Sequence, residues 1–111
     1  MWFKMVSSHN AGLENVISQV EQLLGLGGPI YLAKEPIFRD DGHMIASPDI
    51  HIIHEGMHHL VEYKMSDTHS KNDVKHQLEK AAAFLEKYFN IRPLLWYAHG
   101  DKPEIELLRG Y

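Results

Sequence analysis

The chain of 111 residues is 44% hydrophobic and 23% charged, which is the composition of an ordinary globular domain. It contains no cysteine, so thiol catalysis, cysteine-ligated zinc and a disulfide-dependent secreted scaffold are excluded. The formal net charge of -4, with nine histidines counted as neutral, is not the basic footprint of a nucleic-acid binder, so any contact with nucleic acid has to come from local basic patches.

These properties lead us to expect a single domain over residues 1–111, located in the cytoplasm. A chain of this length buries roughly two thirds of its unfolded surface, which is enough for one core. No apolar run approaches the roughly 20 residues of a membrane-spanning helix, and the segment Met1–Met5 lacks the apolar stretch of a signal peptide. We therefore expect no membrane insertion, and the absence of cysteine favours a reducing setting.

The first predicted element is an amphipathic helix from Ala11 to Leu24. Asn10 is a plausible N-cap, and the glycine-rich segment Gly25–Pro29 ends the helix. Apolar residues recur in it at spacings of three and four, namely Leu13, Val16, Ile17, Val20, Leu23 and Leu24.

Three strands are predicted next. Ile30–Phe38 reads as a strand that ends in a turn at Arg39–Gly42. Pro48–His54 and His59–Met65 then alternate between apolar and polar residues, with Glu55-Gly56 between them. This pattern predicts a β-hairpin.

A second helix and one or two strands complete the chain. The helix is predicted from Asn72 to Phe89, and Asn90 and Pro93 close it. Leu94–Ala98 is suited to a buried strand, and Ile105–Leu108 to an edge strand. The order of helix, three strands, helix and strand predicts the α/β class. The apolar stripe of the helix consists of Val74, Leu78, Ala81, Ala82, Leu85 and Tyr88.

The hairpin brings charged residues together if its loop has the right length. Glu62 and Lys64 are two residues apart and so share one face of a strand. With a two-residue loop, residues whose numbers sum to 111 face each other, so Asp49 lies opposite Glu62. A four-residue loop would pair Asp49 with Lys64 on the same face. A three-residue loop would pair it with Tyr63 and scatter the group.

Two carboxylates and an ammonium group on one face make a poor core and a good metal site. Uncompensated buried carboxylates repel each other and resist ionisation. Metal-assisted phosphodiester hydrolysis needs carboxylates that converge on a divalent cation and a cation or proton donor beside the attacking water. Asp49, Glu62 and Lys64 are therefore the predicted catalytic residues.

The same residues carry a family resemblance. Pro48-Asp49, followed by Glu62-Tyr63-Lys64 across a predicted hairpin, resembles the signature of the PD-(D/E)xK, or restriction-endonuclease-like, nucleases. The order of elements is similar to that superfamily's common core. The resemblance covers most of the chain and implies a mixed central sheet flanked by helices.

The resemblance also implies roles for individual residues. Asp49 and Glu62 would bind one or two Mg²⁺ ions, with Mn²⁺ as a substitute, and the backbone carbonyl of Tyr63 would add a ligand. Lys64 would orient or activate the attacking water. Many members bring a glutamate from the first helix, and Glu14 is similar in position.

Two branches of the superfamily remain open. Gln77, in the second helix, resembles the glutamine that follows the E-x-K strand in RecB-like members, and we expect it to contact substrate. The small size and the placement of Glu14 resemble archaeal Holliday junction resolvases. His51 falls on the same face as Asp49 and is a further candidate for contact with phosphate or metal.

Each of these residues also has a simpler explanation. A Glu-x-Lys pair on a strand is usually solvated or ion-paired. Glu14, near a helix N-terminus, favours the helix dipole whatever its function, and a glutamine such as Gln77 on a helix face is ordinarily solvated. The histidines do not predict a shared zinc site, because His51 and His54 face opposite sides of a strand, as do His58 and His59.

The leading prediction is a Mg²⁺-dependent endonuclease that acts on DNA. The short chain leaves little room for sequence reading, so structure-selective or partner-directed cleavage is expected, and a homodimer would enlarge the surface. The alternative is a catalytically inactive module of the same fold that binds nucleic acid or a protein, which the negative charge favours. A third is an unrelated small α/β protein in which the motif is accidental.

Overall fold

The structure is a computed structural model that describes residues 8–65 and 71–110. This part of the chain forms two helices and seven strands. In chain order they are α1 (Ser8–Leu24), β1 (Tyr31–Lys34), β2 (Phe38–Asp40), β3 (His43–Ala46), β4 (Ile50–His54), β5 (Met57–Lys64), α2 (Lys71–Phe89), β6 (Leu94–His99) and β7 (Glu104–Arg109).

Five of the strands form one mixed sheet in the order β1-β4-β5-β6-β7. The β5–β6 pair is parallel, and the other neighbours in this sheet are antiparallel. Parallel neighbours need a crossover connection, and α2 lies in that connection. The predicted α/β class and mixed sheet are confirmed at this level.

The two helices cover opposite faces of the sheet. Successive residues of a strand point to opposite faces, and the buried residues of β5 divide accordingly. Leu60 belongs to the core cluster under α2, whereas Val61 and Tyr63 belong to the cluster under α1. The hairpin β2–β3 adds to the α2 side, where Phe38 is buried.

The first helix begins three residues earlier than expected. The apolar stripe that places Leu13, Val16 and Val20 in the core continues backward to His9, four residues before Leu13. His9 contacts the end of β5, which adds about one turn to the helix. Asn10 therefore lies inside the helix, and its prediction as an N-cap is wrong.

The predicted strand Ile30–Phe38 is divided in two, which corrects the expectation of three strands before α2. Glu35 has a φ of 50°, a left-handed conformation that ends β1, and Pro36 offers no backbone donor for a ladder. Phe38 opens a separate hairpin whose turn contains Asp41 and Gly42, both at positive φ.

The remaining elements differ from their predicted bounds by one or two residues. The strand predicted at Pro48–His54 starts at Ile50, and that predicted at His59–Met65 runs from Met57 to Lys64. Such differences are usual at element ends. Neither described helix is long and apolar enough to span a bilayer.

Candidate active site

The register of the β4–β5 hairpin decides the geometry of the site. Ile50 pairs with Val61 and His51 with Leu60, so the numbers of opposed residues sum to 111, as the two-residue loop requires. Glu55 and Gly56 have φ values of 48° and 78°, the pair of positive angles found in a type I′ turn. The two-residue loop is confirmed.

Asp49 and Glu62 meet at the open end of this hairpin. The backbone N–H of Asp49 donates to Oε1 of Glu62 at 3.2 Å. The backbone N–H of Tyr63 donates to Oδ2 of Asp49 at 2.8 Å. Each carboxylate is thus held by the other strand's backbone, and the two side chains are only 14% and 12% exposed.

Lys64 lies on the same face of β5, two residues beyond Glu62. Its Nζ is 4.0 Å from Oε2 of Glu62, which is at the limit of an ion pair. The ammonium group is therefore beside the carboxylate of Glu62 without forming a close contact with it. The structure therefore brings the three predicted catalytic residues together.

The electrostatics of the pair favour a bound cation. Burial, followed by the negative charge of Asp49 and a hydrogen bond with Asp49, raises the pKa of Glu62 to about 8. Lys64 lowers it only in part. A carboxyl group that resists ionisation in this way lacks a sufficient counter-charge, and a divalent cation would supply it.

His9 is a functional candidate that the sequence reasoning missed. Its Nε2 lies 3.6 Å from Oδ2 of Asp49 and 3.2 Å from the carbonyl oxygen of Tyr63. One imidazole nitrogen therefore lies against two of the oxygens expected to bind metal. The helical stripe was the available signal, because counting four residues back from Leu13 reaches His9.

Glu14 lies elsewhere. Its carboxylate is 59% exposed and accepts a hydrogen bond from Lys34 of β1. No hydrogen bond or ion pair of residues 8–65 and 71–110 joins it to Asp49. Successive residues of a helix are about 100° apart around its axis, so Glu14 lies off the buried stripe that contains Leu13.

The two expected substrate contacts are placed differently. His51 shares the face of Asp49, but its Nε2 is 2.9 Å from Nδ1 of His58 and its ring packs near Phe38. Burial, followed by the charges of His58 and His59, lowers the pKa of His51 to about 4, so it is neutral at physiological pH. Gln77, in contrast, lines a cavity together with Glu62.

Two adjoining cavities open over the site, and α2 forms the common wall. One, of about 180 Å³, is lined by Glu62, Pro48 and Gln77 among others. The second, of about 350 Å³, is lined by Lys64, Asp73 and again Gln77. Lys80 borders both. The carboxylate of Glu62 and the ammonium group of Lys64 are therefore both reachable from one groove along α2.

The donor set fits magnesium chemistry. Within the part of the chain that the structure describes, no three side chains of histidine, aspartate or glutamate converge on a metal position. Two carboxylates and a backbone carbonyl remain, and Mg²⁺ usually takes one or two carboxylates and keeps several waters.

Comparison of the chain with protein-family models, curated proteins and solved structures finds no match.

Proposed function

We propose that this protein is a metal-dependent nuclease of the PD-(D/E)xK kind that hydrolyses phosphodiester bonds in DNA. The observation that carries the proposal is the mutual clamp of Asp49 and Glu62 by the opposite strand's backbone, with Lys64 on the same face. A buried pair of carboxylates without enough counter-charge is costly to keep unless it binds something.

The architecture supports this assignment. The carboxylates lie where β4 begins and β5 ends, and β5 continues through α2 into its parallel neighbour β6. With α1 and α2 on opposite faces, this order of helix, strands, helix and strand is compatible with a restriction-endonuclease-like core. The division of the first predicted strand and the hairpin β2–β3 are additions to that plan.

Each residue of the site would have a separate role in the reaction. Asp49, Glu62 and the carbonyl of Tyr63 would hold Mg²⁺, which supplies charge neutralisation and a more acidic bound water. Lys64, whose Nζ is 4.0 Å from Glu62, would orient the attacking water and offset charge on the phosphate. His9 would steady Asp49 and is a further donor beside it.

Cleavage assays test the proposal directly. Wild-type protein should cleave DNA with Mg²⁺ or Mn²⁺ and be inactive with chelator or Ca²⁺. Asp49→Asn and Lys64→Ala should each lower the rate by about a hundredfold or more, because the first removes a metal ligand and the second removes the group beside the attacking water. Linear, single-stranded and branched substrates should be compared.

Calorimetric titration with Mn²⁺ separates the roles of the two residues. Asp49→Asn removes a ligand and should weaken binding, whereas Lys64→Ala should bind metal at least as well as wild type, because it loses a competing cation. Glu55→Gln, in the exposed hairpin turn, is the matched control and should change neither property. An active Lys64→Ala protein would contradict the mechanism.

An inactive module of the same fold is the second candidate, and the net charge of -4 favours it. It predicts that DNA or a protein binds while no cleavage occurs with either metal. The same assays therefore distinguish the two candidates.

A further inference from the structure

A partly exposed cluster of aromatic rings lies at the C-terminal end of α2. Phe84, Tyr88 and Phe89 form it, with centroids 5.0 Å apart for Phe84 and Tyr88 and 5.8 Å for Phe84 and Phe89. Phe89 is 59% exposed, and about half of Tyr88 is exposed. We call these three residues the aromatic patch. Exposure of neighbouring aromatic rings is costly in water and indicates a binding surface.

The patch is surrounded by cations in a chain that is acidic overall. Lys80, Lys87 and Arg39 line the shallow depressions over it, against a single carboxylate, that of Asp40. Asp40 is engaged by the hydroxyl of Tyr88, which donates to it. The residues that line these depressions therefore carry a positive balance of charge, which suits an anionic ligand such as a nucleic acid.

This surface is continuous with the proposed active site. Lys80 borders the depression over the aromatic patch and both cavities over Glu62 and Lys64. Ile45 likewise belongs to one cavity of the site and to the neighbouring depression. A chain-like ligand with its phosphate at Glu62 would pass Lys80 and continue over the rings.

We propose that the aromatic patch binds unpaired bases of a single-stranded nucleic acid a few nucleotides from the phosphate that the active site attacks, with Lys80 contacting a phosphate between the two. As an assignment of substrate class it rests on the proposed nuclease function. Aromatic side chains beside cations are how single strands are bound without sequence preference, because every base has a face that can stack. In a duplex those faces are already stacked on neighbouring bases.

A second copy of the chain fits this surface poorly. A two-fold symmetric contact would place the same patch on both sides of the interface. Arg39, Lys80 and Lys87 would then face their own copies, with Asp40 already bonded to Tyr88. An anionic ligand has the complementary charge.

Fluorescence anisotropy with the full chain, in chelator so that nothing is cleaved, tests the inference. The probe is a labelled mixed-sequence single strand of about 12 nucleotides, compared with the blunt duplex of the same length. Phe89→Ser should weaken binding of the single strand about tenfold, the effect of losing one stacked base. Lys80→Gln should lower the slope of log affinity against log salt by about 0.7.

Tyr31→Ser is the matched control, because Tyr31 is 63% exposed and lines neither depression over the aromatic patch. It should leave binding unchanged. Unchanged binding by Phe89→Ser, or an equal loss with the duplex, would overturn the inference. So would a dimer, seen by analytical ultracentrifugation, that Phe89→Ser dissociates.

The nuclease function fails separately from this inference. If the single strand binds in a manner that depends on Phe89 but neither Mg²⁺ nor Mn²⁺ supports cleavage, the proposed function is wrong and the binding surface stands. If cleavage occurs and Phe89→Ser and Lys80→Gln bind and cleave like wild type, the binding surface is wrong and the proposed nuclease function stands.

Discussion

At the scale of single residues, the most consequential group is Glu62. Its raised pKa means that the folded, metal-free protein holds a proton at this carboxyl far more tightly than the unfolded chain does. Any metal bound by Glu62 has to displace that proton, so metal affinity and folding stability both depend on pH through one side chain.

The stability of the metal-free protein should fall as pH rises through this window. The pKa of Glu62 is 4.5 in the unfolded chain and about 8 in the folded protein. Between these pH values the folded state binds more protons than the unfolded state, so the free energy of unfolding falls as pH rises. The loss should total on the order of a few kcal/mol. Glu62→Gln has no proton to lose, so it should be more stable than wild type at pH 8 and similar at pH 4.5.

Urea unfolding in chelator at several pH values measures this effect. The quantity to follow is the difference in the free energy of unfolding between wild type and Glu62→Gln. Histidines with lowered pKa, such as His51, contribute equally to both proteins and cancel in this difference. Glu55→Gln should parallel wild type. A difference that does not change between pH 5 and 8 would refute the raised pKa.

His9 and Glu14 are on the same helix, but only substitution of His9 is expected to change metal binding. His9→Ala removes the group against Asp49 and the Tyr63 carbonyl and should weaken Mn²⁺ binding about tenfold, the usual effect of losing a group that orients a ligand. Glu14→Gln breaks an exposed pair with Lys34 and should leave metal binding unchanged. Calorimetry that shows the reverse order would return Glu14 to the site.

The contrast between these residues shows what sequence can predict at this scale. Asp49, Glu62 and Lys64 were identified because a period of two and a two-residue loop fix which side chains share a face. His9 was missed because the helix was started at Ala11, and its distance to Asp49 depends on how α1 packs on the sheet. That packing is a long-range property that residue spacing along α1 does not contain.

At the scale of elements, α1 can lie close to β5 because Gly12 has no side chain. A Cβ there would lie 1.9 Å from Oη and 2.4 Å from Cζ of Tyr63, whose ring is fully buried. The hydroxyl of Tyr63 is fixed by donating to the carbonyl of Gly100 at 3.1 Å. The buried and hydrogen-bonded ring cannot readily shift aside, so we expect the position of His9 beside Asp49 to depend on this glycine.

Gly12→Ala should therefore destabilise the protein although it raises helix propensity. Alanine in a helix interior gains about 1 kcal/mol over glycine. Overpacking of a filled core costs about 1–3 kcal/mol, and a contact of 1.9 Å calls for the upper part of that range. Denaturant unfolding should show a net loss and calorimetry a weaker Mn²⁺ affinity. Gly27→Ala, with no atom within 4 Å, is the control and should be near neutral.

Both helices and the central hairpin were predictable because each has a local signature. The helices carry apolar stripes, and Glu55-Gly56 supplies the positive φ values of a tight turn. The strand β3 was missed because His43, Met44 and Ile45 are exposed and show no alternation. Pro36 was the available sign of a break in the predicted strand, whereas the positive φ of Glu35 has no signal in the sequence.

At the scale of the whole molecule, charge is distributed unevenly over a chain with a net charge of -4. A nucleic-acid ligand would need a local basic surface, and Arg39, Lys80 and Lys87 supply one around the aromatic patch. Their position could not be read from the sequence, since Arg39 is on β2 and the lysines on α2. Only the packing of the β2–β3 hairpin against α2 brings them together.

The stability of the whole molecule should report the occupancy of the site. A cation that binds only the folded state raises the free energy of unfolding by about 2.7 kcal/mol at a hundredfold excess over its Kd. For a domain of this size that corresponds to a rise in Tm on the order of 10 °C. Because the cation displaces the proton of Glu62, the rise should grow between pH 6 and 8. Differential scanning calorimetry with Mg²⁺ or Mn²⁺ should show it for wild type and Lys64→Ala but not for Asp49→Asn. An equal rise in Asp49→Asn would place the cation elsewhere on the molecule.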